Sequence, residues 1–429
     1  MIKRSFIGLA KPRLENQFLE EKQSEPVKIP ASKKVTLLLN VPFDPYIKRE
    51  SDLIKIGDTV KTGQRLSISP DSDEYVISSV TGTVSYITSF SGGLGQAYTA
   101  ISIDVAEKEE IDEEFAKISK TPNLKDTINF LAGVPGNPPL KSCFQPEKSI
   151  NTIVISGADS DLLTITNQYI LKSKAASVKK GIGILMKLTG VNNIIMIVPQ
   201  YLMQAASTTG ANVRIVDSQY PAGLPHLIMK DVLNQIVPAG KSLEDSGVCF
   251  LTAEAVASIG TAFEKGQVPV TKTFTLVKKD ESRILVSARI GTPIRDIFKA
   301  CDVAVNDKDR IIMGGVLTGS SVYTEDQPLQ VDTDTIVVQD RGNIQPTTDY
   351  PCINCGECVR ICPAKIPVNM LVRFLEAGQY EQGAESYDLY SCVECGLCSY
   401  VCVSRIPIFQ YIRLAKHELA KIKEAEATE

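Results

Sequence analysis

Eight of the eleven cysteines lie between positions 352 and 402, spaced as Cys352-x-x-Cys355-x-x-Cys358-x-x-x-Cys362-Pro363 and again as Cys392-x-x-Cys395-x-x-Cys398-x-x-x-Cys402. This is the C-x2-C-x2-C-x3-C run that holds [4Fe–4S] clusters, written twice. Three thiolates on one tight loop can occupy three corners of an iron–sulfur cube, and the fourth, four residues on, lies where a helix leaves the loop. Structural zinc uses four ligands, usually as two separated Cys pairs, and does not explain two runs of four. Disulfides would call for an oxidising compartment and a small stapled fold, and neither is evident. The spacing predicts two cubane clusters.

The double run resembles the two-cluster ferredoxins, in which the fourth cysteine of each run ligates the other cluster. That resemblance assigns Cys352, Cys355, Cys358 and Cys402 to one cluster and Cys392, Cys395, Cys398 and Cys362 to the second. The stretch repeats internally with a period of 40, and Ile366-Pro367 recurs as Ile406-Pro407. Between the runs, 368–387 has helical periodicity with Leu371, Phe374 and Leu375 on one face; 409–423 is a second amphipathic helix. Pro363 follows the first fourth cysteine and Val403 the second. Proline there would shape a turn without donating a ligand, so Val403 should leave ligation intact.

These elements need a scaffold. At 429 residues the chain has room for two to four domains. Its hydrophobic content of 43% and charged content of 22% suit a soluble globular protein. A net charge of −4 argues against nucleic-acid binding. No apolar run approaches the ~18 residues of a membrane span, and the N-terminus MIKRSFIGLAKPRLENQ lacks a signal peptide's apolar core. The expected location is cytoplasmic, with any membrane association made through a partner.

In chain order, residues 1–32 read as a polar extension draped over a neighbour. Residues 33–105 alternate apolar and polar with glycines at turns, the pattern of a small β sandwich or barrel. The phrases IKIGDTVKTGQRL and SSVTGTVSYI resemble biotinyl/lipoyl hammerhead domains, but no carrier lysine sits at a hairpin tip between them. Residues 106–265 read as a parallel α/β domain. It opens with an acidic linker helix over 106–128 and continues with buried strands at 151–156, 193–198 and 211–217, separated by helices. Residues 266–322 are strand-rich and look like a β-grasp module. A connector, 323–345, contains the apolar strand Thr335-Ile-Val-Val, and 346–429 is the cluster domain.

The order of these pieces resembles the RnfC family, a component of the Rnf ion-translocating electron-transport complexes, over nearly the whole chain. The resemblance rests on IKIGDTVKTGQ, NTIVISGAD, KKGIGILMKLTGV, SARIGTPIRDIFKACD and the tail CVECGLCSYVCVSRIPIFQYIRLAKHEL. It implies a multidomain α/β and β protein: a hammerhead-like barrel, a Rossmann-like domain related to the NADH- and flavin-binding subunit of complex I, an SLBB-like β-grasp domain and a dicluster domain. It also implies FMN, NADH, and a peripheral place on the cytoplasmic face of the inner membrane, next to membrane Rnf-like subunits or a soluble electron-carrying protein.

The nucleotide positions depart from that family. The glycine-rich loop becomes Gly133-Val-Pro-Gly136-Asn-Pro-Pro139, and proline has no N–H to offer a phosphate. The acidic strand end becomes Gly157-Ala-Asp159-Ser-Asp161, with shorter carboxylates. Tyr220 to Pro225 lacks the family's acid, and Leu251 to Glu254 replaces an NVGT-type segment. Gly133, Gly136, Gly157, Asp159 and Asp161 are the candidate FMN or NADH residues if binding persists; together the changes predict a degenerate site. The expected function is an electron-transfer subunit relaying through two clusters. A working NADH:acceptor oxidoreductase with FMN and an iron–sulfur redox sensor are the alternatives. Cys143, Cys249 and Cys301 read as buried structural thiols, His226 as no ligand and His417 as exposed. Gly314 to Gly319 lacks the P-loop Lys-Ser/Thr ending and reads as a turn between strands.

Overall fold

The structure is a computed structural model and describes residues 12–16, 25–43, 53–68, 74–348 and 350–428. Most of the 1–32 extension lies outside the described residues. Its described pieces lie on the later domains: Val27–Lys28 pairs parallel with Val286 and Ser287, and Glu15 bridges Gln219.

The barrel region is a four-stranded sheet in the order Lys34–Leu39, Ala97–Val105, Gly82–Ser91, Thr59–Val60, with a separate hairpin, Arg65–Leu66 and Val76–Ile77. Strict alternation in KVTLLL buries Val35, Leu37 and Leu39 against Val60, Leu66, Val84, Ile101 and Ile103. The expected acidic linker helix is largely absent. Residues 106–113 run extended, because Thr62 pairs with the backbone on both sides of Ile111 and the Thr81 hydroxyl bonds Glu110 from both directions. Helix begins only at Glu114–Ile118, where Phe115 is buried against Phe130 and Phe263, so this segment is part of the core and not a solvated linker.

The α/β domain has four parallel strands ordered Asn212–Val216, Asn193–Pro199, Thr152–Ser156, Val248–Thr252. The first three match the expected strands; Val248–Thr252 is a fourth that the sequence pattern does not announce. Two helices, Ala175–Thr189 and Ala253–Lys265, cross on one face at glycines. A Cβ at Gly260 would stand 1.9 Å from the Ser177 carbonyl oxygen, and one at Gly181 would stand 2.1 Å from that of Val256. The backbones therefore touch, and only glycine permits it.

The next unit is a six-stranded sheet ordered Val27–Lys28, Arg283–Arg289, Thr271–Val277, Thr335–Gln339, Arg310–Met313, Ser320–Val322. Thr335–Gln339, read from sequence as connector, is an interior strand parallel to Thr271–Val277. The unit accordingly runs past 322 to 339. Within the strand-rich 266–322 stretch, IRDIF lies in the helix Ile294–Ala300, preceded by Pro293 and burying Ile294, Ile297 and Phe298. Gly314 to Gly319 is the turn between the last two strands.

In the C-terminal domain the expected long helix is two, Val368–Glu376 and Tyr380–Ser386, broken at Gly378, whose φ is +71°. The last helix, Ile408–Thr428, packs Ile408, Ile412, Ala415 and Leu419 on Leu371, Val372 and Leu375. No helix among the described residues is long and apolar enough to cross a membrane.

The glycine crossing yields a prediction. Gly260→Ala forces two helix backbones apart, and overpacking of this kind costs about 1–3 kcal/mol. The urea midpoint of the variant should fall accordingly; an unchanged midpoint would show that the crossing tolerates a methyl group.

Candidate functional site

Both cysteine loops fold the same way. Asn354 and Gly356 in the first, and Glu394 and Gly396 in the second, have φ between +55° and +76°. These left-handed steps curl each loop so that its cysteines face inward. The loop then runs into a short helix, Glu357–Ile361 or Leu397–Val401. Cys362 and Cys402 end these helices with nearly identical backbones, φ −61°, ψ 120° and φ −64°, ψ 116°. Val403 therefore leaves the second turn as Pro363 leaves the first.

The chain brings the cysteines together as two sets of four. Cys358 lies in the field of Cys352, Cys355 and Cys402, and these four line one narrow gap with Val372 and Ile406. Cys395 lies in the field of Cys392 and Cys362, and Cys398 in that of Cys392 and Cys395. No three His, Cys, Asp or Glu side chains among the described residues converge as ligands of one metal ion would. Four thiols gathered around one gap are the ligand set that a [4Fe–4S] cube takes. Burial pushes the Cys358 thiol up to about 11 and that of Cys395 to about 12. Loading iron must therefore displace protons. Backbone N–H groups already point at two of the sulfurs, Glu394 at Cys392 and Ile406 at Cys402, both at 3.4 Å.

The two sets have different surroundings. Cys395 is buried where Leu397 and Val401 pack with Tyr220, Leu162, Leu224 and Leu317 of the preceding domains. The Tyr220 hydroxyl donates to the Cys395 carbonyl at 2.7 Å. A Cβ on Gly396 would stand 2.3 Å from the Leu317 carbonyl oxygen, so only glycine lets the loop sit there. Lys416 reaches from the last helix to the Cys392 carbonyl at 2.9 Å and to Glu394 at 2.7 Å. Cys355, by contrast, is exposed. The remaining cysteines, Cys143, Cys249 and Cys301, are buried, as expected of structural thiols. His417, expected to be exposed, is half-buried with Nε2 enclosed and unpaired, because its helix lies against the domain core.

Four of the five candidate nucleotide residues lie at the C-terminal edge of the parallel sheet, the place where open α/β sheets bind ligands. There they bond mostly to their own chain. Gly136 lies on the first turn of the Ala253–Lys265 helix, where a Cβ would be 2.4 Å from the Ala255 nitrogen, and Thr252 caps that nitrogen at 3.1 Å. Gly133 is not at this edge but beside Ile77. Glu254, in the same helical turn, is buried with Lys272, which also meets Asp334 at 3.1 Å. Gly157 is wedged against Leu171 and Val198. Asp161 accepts from the Leu162 N–H at 2.7 Å with one oxygen, and from the Leu317 N–H, Thr318 N–H and Thr318 hydroxyl at 3.0 Å with the other. Asp159 accepts from the Asn167 N–H at 2.7 Å, while Asn16 donates to its carbonyl. The gap left around Asn16, Asp159 and Tyr220 is about 10 Å³.

Burial raises the Asp159 carboxyl to about 7. An acid whose folded pKa exceeds its unfolded value of about 4 binds its proton more tightly when folded, so stability falls as pH climbs between the two. Asp159→Asn keeps the acceptor for Asn167 and removes that slope. Between pH 5 and 8 the wild type should lose stability relative to the variant by a few kcal/mol at most, at about 1.4 kcal/mol per tenfold change in proton affinity. Parallel curves in urea unfolding at the two pH values would refute this.

Comparison with known proteins places two families on the chain, the Nuo51 FMN-binding domain over residues 134–263 and the 4Fe-4S dicluster domain over 351–406. The C component of the ion-translocating oxidoreductase complex of Edwardsiella ictaluri is 27% identical over 406 residues, 89% of this chain but 50% of its own length. The chain thus spans about half of that relative. The C component of the Na(+)-translocating ferredoxin:NAD(+) oxidoreductase complex of Acetobacterium woodii is 24% identical over 81% of either chain. Its counterpart in the proton-translocating ferredoxin:NAD(+) oxidoreductase complex of Clostridium ljungdahlii is 26% identical over 86% of this chain and 85% of its own. With matches to the FMN-binding and dicluster domains in that order, the chain is distantly similar over most of its length to the C components of ion-translocating oxidoreductase complexes, the RnfC-like proteins, at 24–28% identity.

Proposed function

We propose that this chain is the electron-relay subunit of a membrane oxidoreductase complex, exchanging electrons with partner subunits through two [4Fe–4S] clusters. Cys352, Cys355, Cys358 and Cys402 would hold the outer cluster, and Cys392, Cys395, Cys398 and Cys362 the inner one. The observation that carries this reading is the grouping of the cysteines into two sets of four, one enclosed by the α/β domain and one open at Cys355. A bound cluster supplies a one-electron carrier. The chain's own residues do the rest. Tyr220 holds the Cys395 loop in place, Leu397 and Val401 exclude water from the inner set, and Lys416 sets a positive charge beside Cys392.

In this reading the α/β domain is a scaffold and not a flavin site. Support comes from the internal bonding of its former ligand positions: Gly136 occupies the helix N-terminus that a phosphate would use, Glu254 adds a carboxylate there, and Asp161 is saturated by the 317–318 backbone. The match of residues 134–263 to an FMN-binding domain favours the alternative of bound FMN. The two separate cleanly by experiment. Anaerobically purified chain should carry about eight iron and eight acid-labile sulfide, two cubes' worth, and release no stoichiometric FMN on denaturation. Four irons or zinc alone would sink the two-cluster relay, and one FMN per chain with rapid bleaching by NADH would sink the scaffold reading.

Reduction adds negative charge to a cluster, and the Lys416 ammonium stabilises that charge. Lys416→Met should therefore shift one of the two midpoint potentials to a more negative value and leave the second in place, with Lys416→Arg close to wild type. Redox titration followed by electron paramagnetic resonance reads both; two unmoved midpoints would show that Lys416 only braces the loop.

A further inference from the structure

Among the described residues, seven buried side-chain nitrogen or oxygen atoms have no hydrogen-bond partner, and three of them gather at one place: Asn16 Oδ1, Asp159 Oδ2 and Asn167 Oδ1. The gathering has a geometric cause. Asn16 Nδ2 donates to the Asp159 carbonyl at 3.2 Å, and Asn167 Nδ2 donates to the Ala158 carbonyl at 3.3 Å. Those carbonyls fix which end of each amide is nitrogen, because a flipped amide would set oxygen against oxygen. Both amide oxygens are left over. Asp159 spends Oδ1 on the Asn167 N–H at 2.7 Å, and its Oδ2 is left over as well. Asp159 is 3% exposed and Asn167 2%.

Asn16 and Asp159, each with an oxygen to spare, line the gap of about 10 Å³ together with Ser160, Asp217, Ser218 and Tyr220. That is room for one water-sized body. Segment 14–16 holds the gap shut: the Asn16 N–H donates to the Ser218 carbonyl at 3.1 Å, and the Tyr220 N–H to the Leu14 carbonyl at 2.7 Å. Burial and Asp334 oppose the charge on Asp159; hydrogen bonds from Gln168 and Asn167 favour it, and no lysine or arginine among the described residues does. A water could donate to both spare oxygens, yet it would leave the carboxylate without a countercharge, and an unpaired buried charge is costly. A cation answers both needs.

We propose that Asp159 and Asn16 hold one calcium ion in this gap, with the carboxylate of Asp217 at its rim. The ligand chemistry selects the class. Every side chain that would reach the ion offers oxygen, and oxygen-only sets take hard cations. Mg²⁺ keeps several waters in a strict octahedron, for which a one-body gap has no room, whereas Ca²⁺ accepts carboxylates and amide carbonyls in irregular geometry. Two carboxylates match its charge; Asp217 gives one oxygen to the Gln219 N–H at 3.0 Å and is otherwise exposed. The ion ties together segments 14–16, 158–160 and 217–220, which are far apart in the sequence. Tyr220, on the same wall, is the residue whose hydroxyl holds the Cys395 carbonyl. Bound calcium therefore braces segment 14–16 and the seat of the inner cysteine loop at once. The inference does not depend on the relay reading.

The test uses the full-length, cluster-loaded chain, stripped with a calcium chelator and then dialysed to equilibrium against radioactive Ca²⁺ in excess Mg²⁺. The wild type should take up one equivalent per chain. Asp159→Asn, which keeps the acceptor for the Asn167 N–H, and Asn16→Leu should each weaken uptake at least tenfold. Asp307→Asn, an equal charge change on an exposed residue of the six-stranded unit, should leave it unchanged. Hydrogen exchange gives a local readout: the Asn16 and Tyr220 amides should exchange at least tenfold more slowly when Ca²⁺ is added to the wild type, and not in Asp159→Asn. If Asp159→Asn fails to fold, Asn16→Leu carries both comparisons. A wild type that takes up no Ca²⁺ holds only a water in the gap, and that result would overturn the proposal. Full uptake by both site variants, equal loss in Asp307→Asn, or amide exchange indifferent to Ca²⁺ would overturn it too.

Discussion

The close approach of Gly396 to the Leu317 carbonyl oxygen governs how this molecule is put together. It seats one cysteine loop against the 314–319 turn so tightly that no side chain fits between them. The Tyr220 hydroxyl closes the same contact from the α/β domain through the Cys395 carbonyl. Three domains meet at one loop, and its left-handed backbone at Glu394 and Gly396 is what lets it face both its cysteines and its neighbours. Cys395 is buried at that junction, and Cys355, its counterpart in the first loop, is exposed because the repeat has only one such neighbour.

The 314–319 turn must itself be rigid for that contact to hold. Asp161 supplies the rigidity: its carboxylate fills the space over Gly315 and takes three donors from Leu317 and Thr318. Asp161 acts there as a structural staple. Lys272, Glu254 and Asp334 act similarly deeper down, joining the α/β helix to the six-stranded sheet. Removing one partner of a buried charge group leaves the others uncompensated, which is why such groups hold domains in register.

What could be read in the sequence was what is local. The cysteine spacing, the turn at Gly314 to Gly319 and three of the four parallel strands depend on residues within a few positions of one another, and each stands where the sequence suggested. The failures were of partnership. Val248–Thr252 is short and becomes a strand only by pairing with Thr152–Ser156. Thr335–Gln339 was recognisably apolar, yet nothing local says that it lies between Thr271–Val277 and Arg310–Met313. The acidic run at 106–113 has a helix-like composition and is held extended by Thr62 and Thr81, residues far behind it in the chain. At the site, the glycine and aspartate positions were located, but their present bonds to Thr252, Leu317 and Thr318 come from distant segments and could not be seen.

The pairing of Val27 with Val286 carries a consequence for how the protein is made. The ribosome releases the N-terminal strand long before its partner exists, and the interior strand at 335–339 emerges later still. The six-stranded sheet therefore cannot close until most of the chain has been synthesised, while the barrel that follows Val27 has all its strands by Val105. Non-local pairing of this kind folds slowly and exposes strand edges meanwhile. The cysteine loops emerge only after the interior strand at 335–339, so their seat against Leu317 can form only on a sheet whose strands have all been synthesised.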